Sequence, residues 1–541
     1  MGRRHWIDEL ADKIASELEK RGKKDFYVFN GGLSVSGLQH IGRLRGEIIL
    51  GEAIRRILEQ RGYRIKQLLT LYTQDAWKGK KGQIEAFPGG GGDRYKGWPL
   101  IKVPDPYGCH ANWVEHFWSD FGPYISEFTD GNIEIVDTTT MYKTIFKPFV
   151  RETIQKRSLV REIVNKYRGR NPYPENWIPF EPICERCGRI DKTKTLSYDP
   201  KTDTVEYVCR ACGYKGTRSI EKGKLNWRIE WTGVWKVLRV DFEPYGKDHA
   251  APGGSRDSCK ELAEKAYNFH SPLGEWYEWV SIRIRRGQVS DMSSSGFVGI
   301  TPKQWLEVAH PHILRFLYLS THPHRKIVVD ISRIPQYYEE YYRAERVYFG
   351  LEDAGEDTEY LKRTYELSHP DSPPEKPPSQ PPYTHVALLA QNLPSKRKFE
   401  IAVERLKRTG HIGELDDYSK AWLAGLLEKT VRWVELYMPQ LKYKVPEEPP
   451  EQAYSQIQDP ERLYRLADAL EEIPSWDEQT IKQTLIEFGR DLDSQERKTL
   501  YRDFYLALLG KPSGPRAAPL LAVLEKDFVV KRLKRPSTQT G

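Results

Sequence analysis

Four of the six cysteines stand as Cys184-x-x-Cys187 and Cys209-x-x-Cys212, with twenty-one residues between the pairs. Each pair forms a knuckle closed by a glycine, Gly188 or Gly213. Two such knuckles suit one tetrahedral Zn2+ held by four thiolates, and a site closed by four protein ligands leaves no place for a reacting water, so its role is structural. Six cysteines in 541 residues are also too few for a disulfide framework. A second set, Asp105, Cys109, His110 and His116, offers a carboxylate, a thiol and two imidazoles. Spacing alone equally suits a surface histidine beside a buried cysteine, since adjacent Cys and His side chains converge only across a turn. Cys259 reads as a small buried hydrophobe.

Two further segments have the make-up of phosphate sites. Gly31-Gly32-Leu33-Ser34-Val35-Ser36-Gly37-Leu38-Gln39-His40-Ile41-Gly42 runs from a strand through small residues into a helix. Small residues let backbone approach a ligand, and a helix start offers free N–H groups and the positive end of its dipole. His40, neutral or protonated, can donate to a phosphate oxygen, and Gly42 leaves room for a flat base. Ser290-Asp291-Met292-Ser293-Ser294-Ser295-Gly296 is a serine-rich loop before a helix opened by Thr301-Pro302, able to fold over a triphosphate. Taken singly, the first is equally an ordinary strand-to-helix turn and the second an ordinary solvent loop.

The elements that must position these residues follow from periodicity. Residues 25–30 read as a strand entering Gly31-Gly32. From His40 the apolar residues Ile41, Leu44, Ile48, Ile54, Ile57 and Leu58 recur at helical spacing until Gly62, and Ile65 to Tyr72 reads as the next strand. Strand, loop, helix, strand is one βαβ unit and predicts a doubly wound, Rossmann-type parallel sheet. Gly89 to Gly92 predicts a mobile surface loop. The expected organisation is a catalytic core over 1–330 with an inserted metal module at about 180–216, a connecting helical segment and Pro-rich linker over 331–382, and an all-α domain over 383–541. The linker expectation rests on seven prolines in the fifteen residues from Ser368 to Pro382.

Composition narrows the class. The charged share is 30% and the hydrophobic share 39%, which is globular. No run approaches the ~18 apolar residues of a membrane span, and the N-terminal stretch has no apolar signal core, so a cytoplasmic protein with no membrane partner is expected. The net charge is +8, and residues 501–541 carry eight Lys/Arg against three acids, a local +5. That excess favours a polyanionic partner or serves as a solubilising tail.

Together the two loop segments resemble the two signatures of class I aminoacyl-tRNA synthetases. Pro104 to His110, Asp241 to His249, Arg363 to Ser368 and Phe528 to Leu533 further resemble the class I lysyl-tRNA synthetase family, and the matches extend over nearly the whole chain. The resemblance implies a Rossmann-type catalytic core with a zinc-binding insertion and a helical anticodon-binding domain. It implies activation of L-lysine with ATP, accompanied by Mg2+, to lysyl-adenylate, followed by transfer to tRNA(Lys). By motif position it places His40 and Gly42 at the phosphates and adenine, and Met292, Ser293, Ser294 and Ser295 in the catalytic loop. It places Gly32, Ser34, Trp227, His249 and Tyr277 around lysine, with Asp248 at the ribose. It also implies zinc at Asp105, Cys109, His110 and His116. Without it, Trp227 and Tyr277 would read as core packing.

The sequence departs from the family at charged positions. Asp291 stands where the second signature has its first Lys, and Gly296-Phe297 where it has Lys-Gly; Val35 and Arg43 replace the usual Pro and Asn of the first. Arg43, or Arg283, Arg285 and Arg286, are candidates to restore the lost positive charge. Two other functions are compatible with these departures: a weakened paralogue that only binds tRNA or lysine, and a nucleotidyltransferase serving another acceptor.

Overall fold

The computed structural model describes residues 3–283, 288–394 and 396–538. They form two compact units. The first comprises Met1–Trp305, Pro311–Asp330 and Asp353–Pro373; the second comprises Leu306–His310, Ile331–Glu352 and Pro374–Gly541. Segment 331–382 is therefore shared between the two units.

The first unit is built on strands β1 (Tyr27–Leu33), β2 (Ile65–Leu71) and β3 (Ile133–Asp137), paired in that order and all parallel. On the other side of β1, Phe29 bridges in parallel to Phe242, which bridges to Leu273. The chain thus leaves β1 toward β2 and β3 and later returns past β1 to lay down the Phe242 segment. A cleft opens where strand order reverses in this way, outside the carboxyl ends of the strands. β1 is buried along almost its whole length, as a strand covered on both faces must be. Its one amide side chain, Asn30, is satisfied in place: Thr70 Oγ1 donates to it and its Nδ2 donates to Glu243, both at 2.9 Å.

The helix expected from His40 begins two residues later. It runs as Gly42–Leu44, a wider π-helical stretch Arg45–Leu50, and Gly51–Glu59. Such bulges are frequent at functional sites, and this one faces the cleft. The inserted module is a three-stranded antiparallel sheet, Thr193–Asp199, Thr204–Cys209 and Lys215–Ser219, entered and left through the pair Phe180–Pro182 and Gly223–Leu225. Gly89–Gly92 leads into a short 3-10 turn, Gly92–Tyr95, whose first residue is buried.

Arg315 is among the fully buried charges of the first unit. It is fully buried, pairs with the equally buried Glu52 at 3.0 Å, and donates to the carbonyls of Phe128, Leu367 and Ser368. The last two acceptors are otherwise unsatisfied carbonyls at the end of helix Thr358–Ser368.

Among the described residues the second unit is helical throughout. Its helices include Ile334–Tyr348, Tyr383–Gln391, Asp417–Tyr437, Pro460–Glu471, Ser494–Leu509 and Lys526–Thr538. Trp422 is buried against His310 (ring centroids 3.9 Å) and Tyr341 (5.7 Å), and Trp433 donates to the carbonyl of Ile331 at 2.8 Å. The Pro-rich stretch is docked on this core: Gln380 accepts from Arg346 and donates to Glu345 and to the Tyr342 carbonyl. No described helix is long and apolar enough to cross a membrane.

Replacing Arg315 by Met would leave the buried Glu52 carboxylate with only Arg56, at 3.5 Å. The first unit of Arg315→Met is expected to lose about 3–5 kcal/mol, read as a lowered denaturant midpoint; an unchanged midpoint would show that the buried pair is not what holds these helices.

Candidate active site

A cavity of about 850 Å3 occupies the cleft at the carboxyl ends of the strands. It brings together segments far apart in sequence: Gly32 and Ser34 from the end of β1, His40 and Gly42 from the helix start, Trp227 from helix Trp227–Leu238, Asp248 and His249 beyond the Phe242 segment, Tyr277, and Met292 to Ser295. Every residue named from the sequence for nucleotide or lysine therefore lines one space.

His40 precedes the helix rather than opening it. It is buried, and burial, with the nearby Arg43 charge, pushes its pKa down to about 3. Of the two protonation states allowed by sequence, the structure selects the neutral imidazole. Its Nδ1 is buried without a partner among the described residues, a state that calls for a ligand. A methyl group on Gly42 would lie 3.0 Å from that nitrogen and 3.3 Å from Met292 Sδ, so the two signatures meet at this glycine. Arg43 reaches Glu47 at 3.4 Å. Glu47 is fully buried; burial raises its pKa and pushes that of the adjacent Tyr277 well above normal. The Tyr277 ring lies on the helix backbone at Gly46, where any Cβ would come within 2.0 Å of it, so only glycine admits the ring.

The floor of the cavity was not legible in the sequence. Glu243 is buried and accepts Asn30 Nδ2 (2.9 Å), Trp231 Nε1 (2.7 Å) and Trp235 Nε1 (2.9 Å). Burial raises its pKa, and among the described residues no cation forms an ion pair with it. Around it stand Tyr72, whose buried hydroxyl has no partner, and an aromatic wall in which Trp227 stacks on Trp231 at 5.1 Å and His249 lies 5.0 Å from Trp231. Burial also lowers the pKa of His249.

The charges near the second signature are arranged differently from the sequence expectation. Asp291 is taken up by Lys326 (2.6 Å) and the Ser281 hydroxyl (2.5 Å). Arg283, a candidate substitute cation, is committed to Asp330 at 2.9 Å; Arg285 and Arg286 lie outside the described residues. The cations that do line the cavity are Arg43, Lys78 and Lys80. Lys78 and Lys80 come from the loop after β2, and the available signal was their place at the carboxyl end of a parallel strand. Phe297, which stands where the second signature has Gly, packs against Phe117 at 5.2 Å.

The two groups of metal-ligating residues named from the sequence lie apart from this cavity. Cys184, Cys187, Cys209 and Cys212 converge, with sulfur separations of 3.7 Å (184–212) and 3.6 Å (187–209). Four Zn–S bonds of about 2.3 Å at tetrahedral angles would hold sulfurs about 3.8 Å apart. The knuckle glycines Gly188 and Gly213 sit at φ 74° and 73° and direct their N–H groups back to the carbonyls of Cys184 and Cys209. The cluster is thus able to hold a metal ion. Asp105, Cys109, His110 and His116 also converge: Cys109 Sγ lies 3.1 Å from His110 Nδ1 and 3.3 Å from His116 Nδ1, and Asp105 lies 3.1 Å from His116 Nδ1. The turn that adjacent Cys and His require is made by Asp105, which accepts the N–H groups of Tyr107, Cys109 and His110. Burial would raise the pKa of Asp105, but these hydrogen bonds outweigh it and bring it down to about 2. Cys259 is buried, with its sulfur on the Arg228 carbonyl and its pKa pushed up to about 12 by burial.

Comparison with known proteins places the chain. Residues 4–371 match the family described as tRNA synthetases class I (K), and residues 416–536 match an anticodon binding domain. The chain is 57% identical to a lysine–tRNA ligase of Aeropyrum pernix, covering 98% of this chain and 97% of that protein. It is 32% identical to a lysine–tRNA ligase of Methanocaldococcus jannaschii and 34% identical to one of Pyrococcus horikoshii, covering 98% of this chain and 99% of each relative.

Two measurements test the site. His40 titrates near 3 when folded and near 6.5 when unfolded, so between those values the unfolded chain binds the extra proton and stability falls as pH drops. Over pH 4–6 the unfolding free energy of the first unit should fall less steeply in His40→Asn, by about 1.4 kcal/mol per pH unit; an equal slope would mean that His40 is solvated. Elemental analysis of the purified chain should find a divalent ion that Cys187→Ser removes while the Asp105 cluster is left intact; equal metal content in the two proteins would rule out the four-thiol site.

Proposed function

Because the chain belongs to the tRNA synthetases class I (K), we propose that it is an ATP-dependent lysine–tRNA ligase whose reaction runs in the 850 Å3 cavity. The observation that carries the reading is Glu243, a carboxylate at the floor of an aromatic pocket, held by three neutral donors and lacking an ion-pair partner among the described residues. Arg256 acts on this carboxylate only from a distance, without an ion pair; a buried carboxylate with no cation in contact is costly, and the ammonium of a lysine side chain supplies one. Trp227, Trp231 and Tyr72 cover the aliphatic stem, and ring faces favour the cation they enclose. The backbone at Gly32 and Ser34 lies where the α-amino and carboxylate groups of such a lysine emerge, with His249 and Tyr277 on the opposite wall.

The triphosphate then extends along the start of the helix at Gly42. His40, neutral, offers an N–H; Gly42 leaves the face of the adenine uncovered; Asp248 accepts the ribose hydroxyls. Met292 to Ser295 close over the phosphates. The lysine carboxylate attacks the α-phosphorus and pyrophosphate leaves; the 3′-terminal ribose hydroxyl of tRNA then attacks the lysyl carbonyl of the adenylate, and AMP leaves. There is little covalent chemistry for side chains here, and the rate comes from positioning and from charge placed against the phosphates. Arg43, Lys78 and Lys80 supply that charge in place of the two signature lysines. Mg2+ accompanying ATP would neutralise part of the triphosphate charge. The four-thiol cluster has the donor set of a structural zinc site, and Asp105, Cys109, His110 and His116 that of a second one. The core over 1–330, the connector 331–382 and the helical domain 383–541 correspond in this reading to catalysis, connection and anticodon binding, in a cytoplasmic enzyme.

Charging of tRNA with each amino acid in turn should succeed with lysine alone, and His40→Ala should lower kcat by about 100-fold or more. In Glu243→Gln the KM for lysine should rise by about 100-fold while the KM for ATP moves little. A lysine KM unchanged in that variant would remove Glu243 from substrate recognition, and charging with another amino acid in preference to lysine would overturn the function.

A further inference from the structure

Lys78 and Lys80 bring positive charge to the cavity on exposed side chains, and among the described residues neither forms an ion pair. A free lysine is a charge on a flexible stem, so the backbone that carries it decides where that charge falls. Here that backbone is the segment after β2, and the inserted module holds it at two points. The first is the knuckle of Cys184 and Cys187. The Ile190 N–H donates to the Gly97 carbonyl at 2.7 Å, and Gly188 lies so close to the Trp98 ring that a Cβ there would come within 2.6 Å of it. Residues 97–101 are paired in turn with residues 73–77. The Trp77 N–H donates to the Trp98 carbonyl (2.7 Å), Gly97 N–H to Trp77 (2.8 Å), Leu100 N–H to Asp75 (2.9 Å) and Ile101 N–H to Thr73 (3.0 Å). Lys78 is the next residue along the chain.

The second hold is Lys224, on the strand Gly223–Leu225 by which the chain leaves the module. It is buried, and its Nζ lies 2.5 Å from Asp75 Oδ1 and 2.8 Å from Glu230 Oε2. Asp75 itself lines the cavity. Across the stem Lys224 pairs with Glu181, three residues before Cys184, so stem and knuckle are one continuous piece. The core of that piece is small: Tyr207 and Tyr214 packed with the four cysteines. A metal ion on the thiolates, more than apolar burial, would therefore set its shape. At the far end of the lysine segment, Gln83 Nε2 donates to the Ser36 carbonyl of the first signature at 2.8 Å, and a Cβ on Gly82 would meet the Phe297 ring at 2.9 Å. Lys78 and Lys80 thus stand on a short span fixed to the module on one side and to both signature loops on the other.

We propose that the four-thiol module positions the cations of the phosphate site, with Trp98 and Lys224 as the positioning residues through which it fixes Lys78 and Lys80. The proposal rests on the reading of the cavity as the ATP site. Lysine-dependent ATP–pyrophosphate exchange and amide hydrogen exchange, both on the full chain, test it. In Trp98→Ala the KM for ATP should rise about tenfold with the KM for lysine unchanged, and Trp98→Phe should behave as the parent. Lys78→Ala/Lys80→Ala should raise the KM for ATP too, and adding Trp98→Ala to that variant should cost nothing further. Independently of activity, the Trp77 and Leu100 amides should exchange about tenfold faster in Trp98→Ala, in Lys224→Met and in the parent stripped of metal by a chelator, while the amides of β1 keep their protection. Arg189 and Asp191 pair with each other against Gly97, and Arg189→Ala/Asp191→Ala should move both readings the same way, which decides the matter even where Trp98→Ala fails to fold. Unchanged exchange at Trp77 and Leu100, or an equal cost of Trp98→Ala with and without the two lysines, would overturn the proposal. Failure of the parent to exchange pyrophosphate with lysine would instead overturn the function itself.

Discussion

A carboxylate removed from water must be met by donors, and Glu243 meets three of them from two directions. Asn30 reaches it from β1, and Trp231 and Trp235 reach it from one face of helix Trp227–Leu238. The same Asn30 is fixed by Thr70 on β2. One buried charge therefore ties together two adjacent strands, the returning segment at Phe242 and the helix above them. Loss of these contacts would cost more than a hydrogen bond, because the desolvation of the ion would go uncompensated. The floor of the cavity is rigid for that reason, and the indole rings that donate to Glu243 also form the wall beside it. Structure and recognition use the same atoms here.

How much of this could be read beforehand divides along physical lines. The βαβ unit was visible because its apolar residues repeat at helical spacing between two strands, which depends only on local periodicity. The cysteine knuckles were visible because ligand spacing is set by local turns. Glu243, Tyr72 and Trp231 were not picked out, since nothing in the neighbourhood of a glutamate in sequence shows that it will be buried without a cation. That property belongs to the whole sheet. The helix start was misplaced by two residues because His40 is buried among Gly42, Met292 and Gly299 and not exposed at an N-terminal cap. The π-helical widening at Arg45–Leu50 has no periodicity signal; it follows from Tyr277 lying against Gly46.

Charge placement shows the same division. The second signature lacks both lysines, and Asp291 reverses one of them. Had the loop been all that faces the phosphates, the cavity would repel a triphosphate there. In the folded chain Asp291 is neutralised by Lys326, and Lys78 and Lys80 enter from the loop after β2. The positive field at a site depends on which side chains converge in space, and it can be conserved while the residues that provide it change. Arg283, the nearest described cation upstream of that loop, is committed to Asp330.

The C-terminal unit carries this reasoning one step further. Eight cations crowd its last forty-one residues, yet Lys534 and Arg535 on the terminal helix pair with Asp468, Glu471 and Glu448. Ion pairs of this kind are worth little individually at a surface, but they remove charge from what a polyanion would meet. The helix Ser494–Leu509 has a less conspicuous composition, and among the described residues its Arg497 and Lys498, beside two tyrosines, form no ion pair. Net charge along a sequence therefore overstates the charge the terminal helix presents at its surface. The charge available to RNA is what remains after the fold has paired its own acids and bases, and only the folded arrangement reveals that remainder.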